Sequence, residues 1–232
     1  MCGRYTLAQV ERLERRYGSG PLQMELRPRF NIAPTQTVAV ILDEEPAALT
    51  TVRWGLIPAW SKDKKIGATL INARGETVAE KPSFRTAFKK RRCLILADGF
   101  YEWQKRDAGK VPHYMQLADG EPFAFAGLWE EWCDLEAGGA VLRTCAIITT
   151  EPNERLSPIH NRMPVILPPE QERRWLSRDT EIEELKSLLT PFPADAMSAH
   201  PVSTRVNSVQ NQEASLVELS RPESDETFVL GS

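Results

Sequence analysis

A cysteine stands directly after the initiator methionine, in Met1-Cys2-Gly3. Methionine aminopeptidases remove methionine ahead of small residues, so the mature chain is expected to begin with Cys2, carrying a free α-amine beside its thiol. That pair is a 1,2-aminothiol. An α-amine ordinarily titrates near pH 7.7–8.0 and a thiol near about 8.5, so neutral amine and some thiolate are both expected near neutrality. Toward an aldehyde such a group reacts in two steps: the amine forms a Schiff base, and the neighbouring sulfur closes a five-membered thiazolidine. The internal cysteines, Cys93, Cys133 and Cys145, lack the amine and cannot do this.

Other segments set polar side chains at the ends of apolar runs. Asn72-Ala73-Arg74-Gly75-Glu76 follows Thr69-Leu70-Ile71, a strand-to-loop position where side chains face a cleft. Asp98-Gly99-Phe100-Tyr101-Glu102-Trp103 follows Cys93–Ala97 and sets Glu102 between two aromatics, a setting that raises a carboxyl pKa toward general acid/base work. Thr149-Thr150-Glu151-Pro152-Asn153 ends another apolar run. Ser157–Pro164 puts His160 beside Arg162 in a proline-bounded loop. Taken singly, Glu102 reads equally well as a salt-bridged surface residue, and His160 as a hydrogen bond that pins its loop.

The elements that must position these residues are short. Thr37–Leu42, Leu49–Arg53, Cys93–Ala97, His113–Leu117, Pro122–Trp129 and Val141–Thr150 are rich in β-formers and bounded by Gly, Pro and acidic turns, which predicts strands. Helical patterns run over 8–17, Ser83–Lys90, Pro168–Ser177 and Thr180–Leu189. No regular β-α-β alternation is present. The fold class expected is therefore α+β, a single domain over 1–210 built on a curved, barrel-like mixed or antiparallel sheet with short helices around it. The polar, acidic stretch 211–232 is expected to be a flexible tail.

Composition excludes several classes of function. At 232 residues, 41% hydrophobic and 26% charged, the chain is an ordinary globular one. No apolar stretch approaches the roughly 18 residues that cross a bilayer, and the N-terminus has no apolar signal core, so no membrane association and a cytoplasmic location are expected. His113, His160, His200 and the cysteines show no metal-ligand spacing, so neither a metal nor a cofactor is expected. Net charge is −3, but residues 1–110 carry 20 Lys and Arg against 12 Asp and Glu, whereas residues 111–232 carry 9 against 20. The basic half is a surface that could meet phosphates, although Lys89-Lys90-Arg91-Arg92 alone reads as a solvated run.

MCGRYT, RFNIAPT (Arg29–Thr35), WGLIPAW (Trp54–Trp60), INARGET (Ile71–Thr77), F-R-x-A-F (Phe84–Phe88), CLILADGFYEW (Cys93–Trp103), FAGLWE (Phe125–Glu130), TT-x-x-N (Thr149–Asn153) and IHNRMPVIL (Ile159–Leu167) occur in order. In sequence and spacing they resemble the SOS-response-associated peptidase (SRAP) family, whose members shield abasic sites in single-stranded DNA. The resemblance covers roughly residues 2–210. It implies a monomeric crosslinking enzyme, with peptidase and lyase activities, whose partner is abasic single-stranded DNA, and nucleoid association while acting there. Cys2 would capture the aldehyde of the ring-opened deoxyribose, and Asn72 would hold the N-terminal cysteine and adduct. Glu102 would shuttle protons and reverse the crosslink, and His160 would assist ring opening. Arg4, Arg74, Arg85 and Arg162 would bind phosphates, with a hydroxyl contact from Thr149 and an apolar wedge or stacking surface from Trp54 and its loop.

Two other readings stay open on residues alone. In an N-terminal-nucleophile amidohydrolase or peptidase, the Cys2 thiol attacks an amide with its own amine as base. A non-catalytic single-strand-binding module would bind intact DNA without Cys2.

Overall fold

The structure, a computed structural model, describes residues 2–17, 26–46, 48–107, 109–134 and 138–220. In chain order its strands and α-helices are β1 (Tyr5–Leu7), α1 (Val10–Tyr17), β2 (Arg29–Ile32), β3 (Thr37–Leu42), β4 (Leu49–Trp54), β5 (Asn72–Arg74), α2 (Arg85–Lys90), β6 (Arg92–Ala97), β7 (Gly99–Arg106), β8 (Gly109–Leu117), β9 (Phe123–Asp134), β10 (Ala140–Thr150), β11 (Met163–Pro164), β12 (Ile166–Leu167), α3 (Pro169–Leu176), α4 (Ile182–Ser187) and β13 (Met197–Pro201). The expected class, α+β around a barrel-like sheet, is the one observed.

Strands β10, β4, β3, β6 and β9 pair in that order, and β9 pairs back onto β10, closing a five-stranded barrel. Closure satisfies the backbone groups that an open sheet leaves at its edges. The β10–β4 pair is parallel and the other barrel pairs antiparallel. Three short strands extend the rim: β5 runs parallel to β10, and β11 and β12 pair antiparallel with β10 and β9. A second, antiparallel sheet runs β13-β8-β7-β1-β2. Phe100 and Met115 on one of its faces join the main core, while Tyr101 and Tyr114 on the other pack with Val202, Val206 and Leu216 in a second cluster.

Every residue of β6 is buried, which explains its unbroken apolar run. Arg92, its first residue, is the exception in type. Its Nε donates to the Trp175 carbonyl, Nη1 to those of Phe88 and Lys89, and Nη2 to that of Ser177. One guanidinium thus satisfies terminal carbonyls of both α2 and α3, where a cation also complements the helix dipoles.

The structure departs from the sequence reading in two places. Strands β1, β2, β5, β7 and β13 carry charged residues, Pro or too few residues to stand out as β-formers, and they form through pairing with distant strands. The domain also extends past residue 210: Leu216 is buried, Gln212 Nε2 donates to the Asn31 carbonyl, and the Ser220 N–H donates to that of Pro201. Leu216, the partly buried Val217 and these bonds hold 211–220 in place, and the rest of the expected tail lies outside the described residues.

Replacing Arg92 with Met keeps the aliphatic stem but takes the guanidinium from four carbonyls, of which, among the described residues, only that of Ser177 keeps another donor, the Thr180 N–H. Urea denaturation is expected to show a loss of about 3–5 kcal/mol, the range for removing one partner of a buried charged network.

Candidate active site

The start of the chain is fixed by β7. Tyr5 pairs with Phe100 and Thr6 with Gly99, and the Tyr101 N–H donates to the Arg4 carbonyl at 2.9 Å. Residues 2–4 leave the ladder, and Cys2 packs into the main core. Cys2 is wholly buried, and Asn72 Nδ2 donates to its carbonyl at 2.8 Å. Asn72 reaches it from β5, which pairs with β10 through Ile147–Asn72, Ile148–Ala73 and Thr149–Arg74. Strand alternation then buries Ala73 and turns Asn72 and Arg74 the other way. Gly75, next in line, has no side chain to press on β10; a Cβ there would stand 3.3 Å from the Thr149 carbonyl oxygen.

Burial dominates the electrostatics. The Glu102 side chain is 3% exposed, and burial pushes its carboxyl from 4.5 up to about 7. The aromatic setting read from the sequence is not the cause: Tyr101 and Trp103 belong to the second cluster on the opposite face of β7, as strand alternation requires. His160 Nε2 lies 3.9 Å from Glu102 Oε2. Its Nδ1 accepts from the Arg162 N–H at 3.0 Å, which leaves the proton of the neutral ring on Nε2, toward Glu102; the Arg162 carbonyl, 3.2 Å away, can accept from Nδ1 once the ring charges. Burial lowers the His160 pKa. Burial, reinforced by the Glu102 charge, drives the Cys2 thiol well above the ordinary range, so the thiolate expected from an exposed thiol is not present at rest. The sulfur is held as a neutral thiol, in the field of a carboxyl that itself titrates near neutrality.

The expected phosphate ligands separate into different environments. Arg74 and Arg85 are exposed. Arg4 is turned inward: its Nη1 donates to Asn31 Oδ1 and to the Val206 carbonyl, both at 2.7 Å, and its guanidinium lies 6.0 Å from the Trp103 ring centroid. It ties the start of the chain to β2 and to the 204–207 turn, so part of its guanidinium is spent inside the protein. Arg162 holds Glu76 with two N–H groups and the Thr149 carbonyl and hydroxyl with one of them. Trp54 is a correction. It is fully buried, edge-on to Tyr5, and its Nε1 donates to the Ile71 carbonyl at 2.9 Å, so it anchors the residue before Asn72 and has no face for a base. The exposed aromatic of that loop is Trp60, 62% exposed in a cavity of about 770 Å³ lined also by Lys62, Lys64, Lys65 and Trp132. Glu76 was a member of a quoted motif without a role; the pattern N-A-R-G-E was its only signal. Among the described residues no three His, Cys, Asp or Glu side chains are grouped so as to hold a metal ion.

A closed barrel with an antiparallel sheet laid against it, and a buried Cys2 held by Asn72, define a class that comparison with known proteins places. The chain matches the family described as SOS response associated peptidase (SRAP) over residues 1–209, and it belongs to that family. It is 46% identical over 224 residues to the abasic site processing protein YoqW of Bacillus subtilis, covering 94% of this chain and 99% of that one. It is 33% identical over 232 residues to YedK of Escherichia coli, another abasic site processing protein, at 94% and 99% coverage. A crystal structure of a protein from Bacteroides thetaiotaomicron superposes with a TM-score of 0.86 at 28% identity, covering 95% of this chain and all of that one.

A carboxyl raised to about 7 costs stability once it ionises. Its protonated form is favoured in the fold, so the contribution holds at acid pH and is lost as pH climbs from the unfolded value through the folded one. Glu102→Gln is expected to leave stability unchanged at about pH 4 and to raise it by roughly 2–3 kcal/mol at about pH 8, read by urea denaturation at the two values.

Proposed function

We propose that this protein processes abasic sites by binding single-stranded DNA and joining Cys2 covalently to the ring-opened deoxyribose as a thiazolidine. The observation that carries the reading is the setting of Cys2: wholly buried, its carbonyl held by Asn72, its sulfur in the field of Glu102, with His160 behind. Removal of Met1 supplies the amine. The amine adds to the aldehyde carbon and water leaves, giving the Schiff base. The thiol then gives its proton up and its sulfur bonds to the same carbon, while the imine nitrogen takes a proton, so the ring closes with no oxidant or reductant.

Glu102, titrating near 7, accepts the thiol proton on the way in and returns it to sulfur on the way out, which is the route to self-reversal. His160, with its proton on Nε2, serves the sugar oxygen during ring opening. Arg74 and Arg162 edge the site as phosphate ligands, Arg85 extends the basic surface, and Thr149 fixes Arg162. Trp60, among Lys62, Lys64 and Lys65, supplies the stacking surface that the buried Trp54 cannot. The relatives named abasic site processing proteins support the reading. The family's designation as a peptidase favours a second use of the same thiol, removal of Met1 by the chain itself.

The test is a denaturing gel of the protein mixed with abasic single-stranded DNA. Wild type is expected to give a heat-stable shifted band, Cys2→Ala none, and Cys2→Ser only a borohydride-dependent one. A heat-stable band from Cys2→Ala at wild-type yield would overturn the assignment. On an unreactive strand Arg74→Ala is expected to weaken binding and to shallow the dependence of log K on log salt by about 0.7, one phosphate's worth on single strands.

A further inference from the structure

The Arg162 guanidinium is already occupied. Nη1 donates to Glu76 Oε1 at 2.5 Å and Nη2 to Glu76 Oε2 at 2.9 Å, a two-pronged match of the kind a phosphate would make. Its other contacts face inward: Nη2 also donates to the Thr149 carbonyl, and Nε is buried. The Arg162 side chain is 14% exposed and that of Glu76 52%, so the edge open to an incoming anion is the edge Glu76 covers. Arg74 adds its field: Glu76 is held below the usual carboxylate range by its bonds to Arg162 and, more weakly, by the charges of both arginines. The carboxylate therefore stands where an anion is most favoured.

We propose that Glu76 is a specificity-determining gate: in the DNA-free chain it occupies the Arg162 fork, and it must be exchanged for a backbone phosphate before the strand seats. The inference rests on the reading of Arg162 as a phosphate ligand. Glu76 is the half-exposed partner and Arg162 the largely buried one, so the carboxylate can swing out into water while Arg162 stays held by Thr149. Exchange returns to Arg162 only the bonds it gives up. Net gain comes to a strand whose phosphate meets Arg162 and Arg74 together, and a strand that reaches only one of them gains little.

The test measures binding of a short fluorescent single strand carrying a tetrahydrofuran spacer, which mimics the abasic site but has no aldehyde, by anisotropy between about 50 and 200 mM salt. Glu76→Gln is expected to tighten binding about tenfold with the log K against log salt slope little changed, because the same phosphate meets Arg162 in both proteins. Glu76→Ala should do the same. Arg162→Ala should weaken binding, and in that background Glu76→Gln should gain less than about twofold, because the competitor then has nothing to block. An equal gain in both backgrounds would show a general charge effect and overturn the gate. Unchanged or weaker binding by both Glu76 variants, with Arg162→Ala still weakened, would also overturn it while leaving Arg162 a phosphate ligand. Arg162→Ala binding like wild type would instead overturn the phosphate-ligand reading itself.

Discussion

Burial of Cys2 is the constraint on which the site depends. A residue next to a chain terminus is ordinarily solvated; here it lies inside the core, with its carbonyl satisfied by Asn72. That placement requires β1 to run along β7 in one register, and β5 to meet β10 so that Asn72 points at it. The barrel supplies β10, and Trp54 pins the chain just before Asn72. The same burial sets the chemistry. It lifts the thiol and the Glu102 carboxyl and lowers His160, so near neutral pH the thiol and the imidazole are uncharged and Glu102 is divided between its acid and its carboxylate.

Around this low-charge centre the arginines divide the labour. Arg4 and Arg92 spend their donors on carbonyls and on Asn31, and hold elements together. Arg74 and Arg85 face solvent, and Arg162 is shared between Thr149 and Glu76 at the rim. The excess of basic residues in the first 110 positions is thus partly internal, and the surface left for DNA is narrower and more specific in position than the charge count implies.

Much of this was legible in the sequence, for physical reasons. Strands β3, β6, β9 and β10 announce themselves because most of their residues are buried among apolar neighbours, and β4 because it is rich in β-branched residues. Asn72 and Thr149 sit at strand ends, where turn residues mark a cleft. The rest depended on contacts between distant parts of the chain. Arg4 turns inward because of Asn31 and Val206, 27 and 202 residues away. Trp54 and Trp60 belong to one motif, and only the packing of Tyr5 and the Ile71 carbonyl shows which is core and which is exposed. Glu102 was placed correctly as a raised carboxyl for the wrong reason: its flanking aromatics lie across the sheet from it, and the depth of the site does the work. Residues 211–220 look like tail because their composition is polar, yet Leu216 is buried and Val217 packs beside it.

The central claim is that both the amine and the sulfur of Cys2 bond to one sugar carbon. Mass analysis of the proteolysed adduct, after borohydride and iodoacetamide treatment, tests it most directly. The account predicts a peptide that begins at Cys2, carries the deoxyribose remnant, and takes up neither hydride nor an alkyl group, because nitrogen and sulfur are both in the ring. An adduct that is reduced and alkylated at a free Cys2 thiol, or one carried by a lysine or by Cys133, would contradict it.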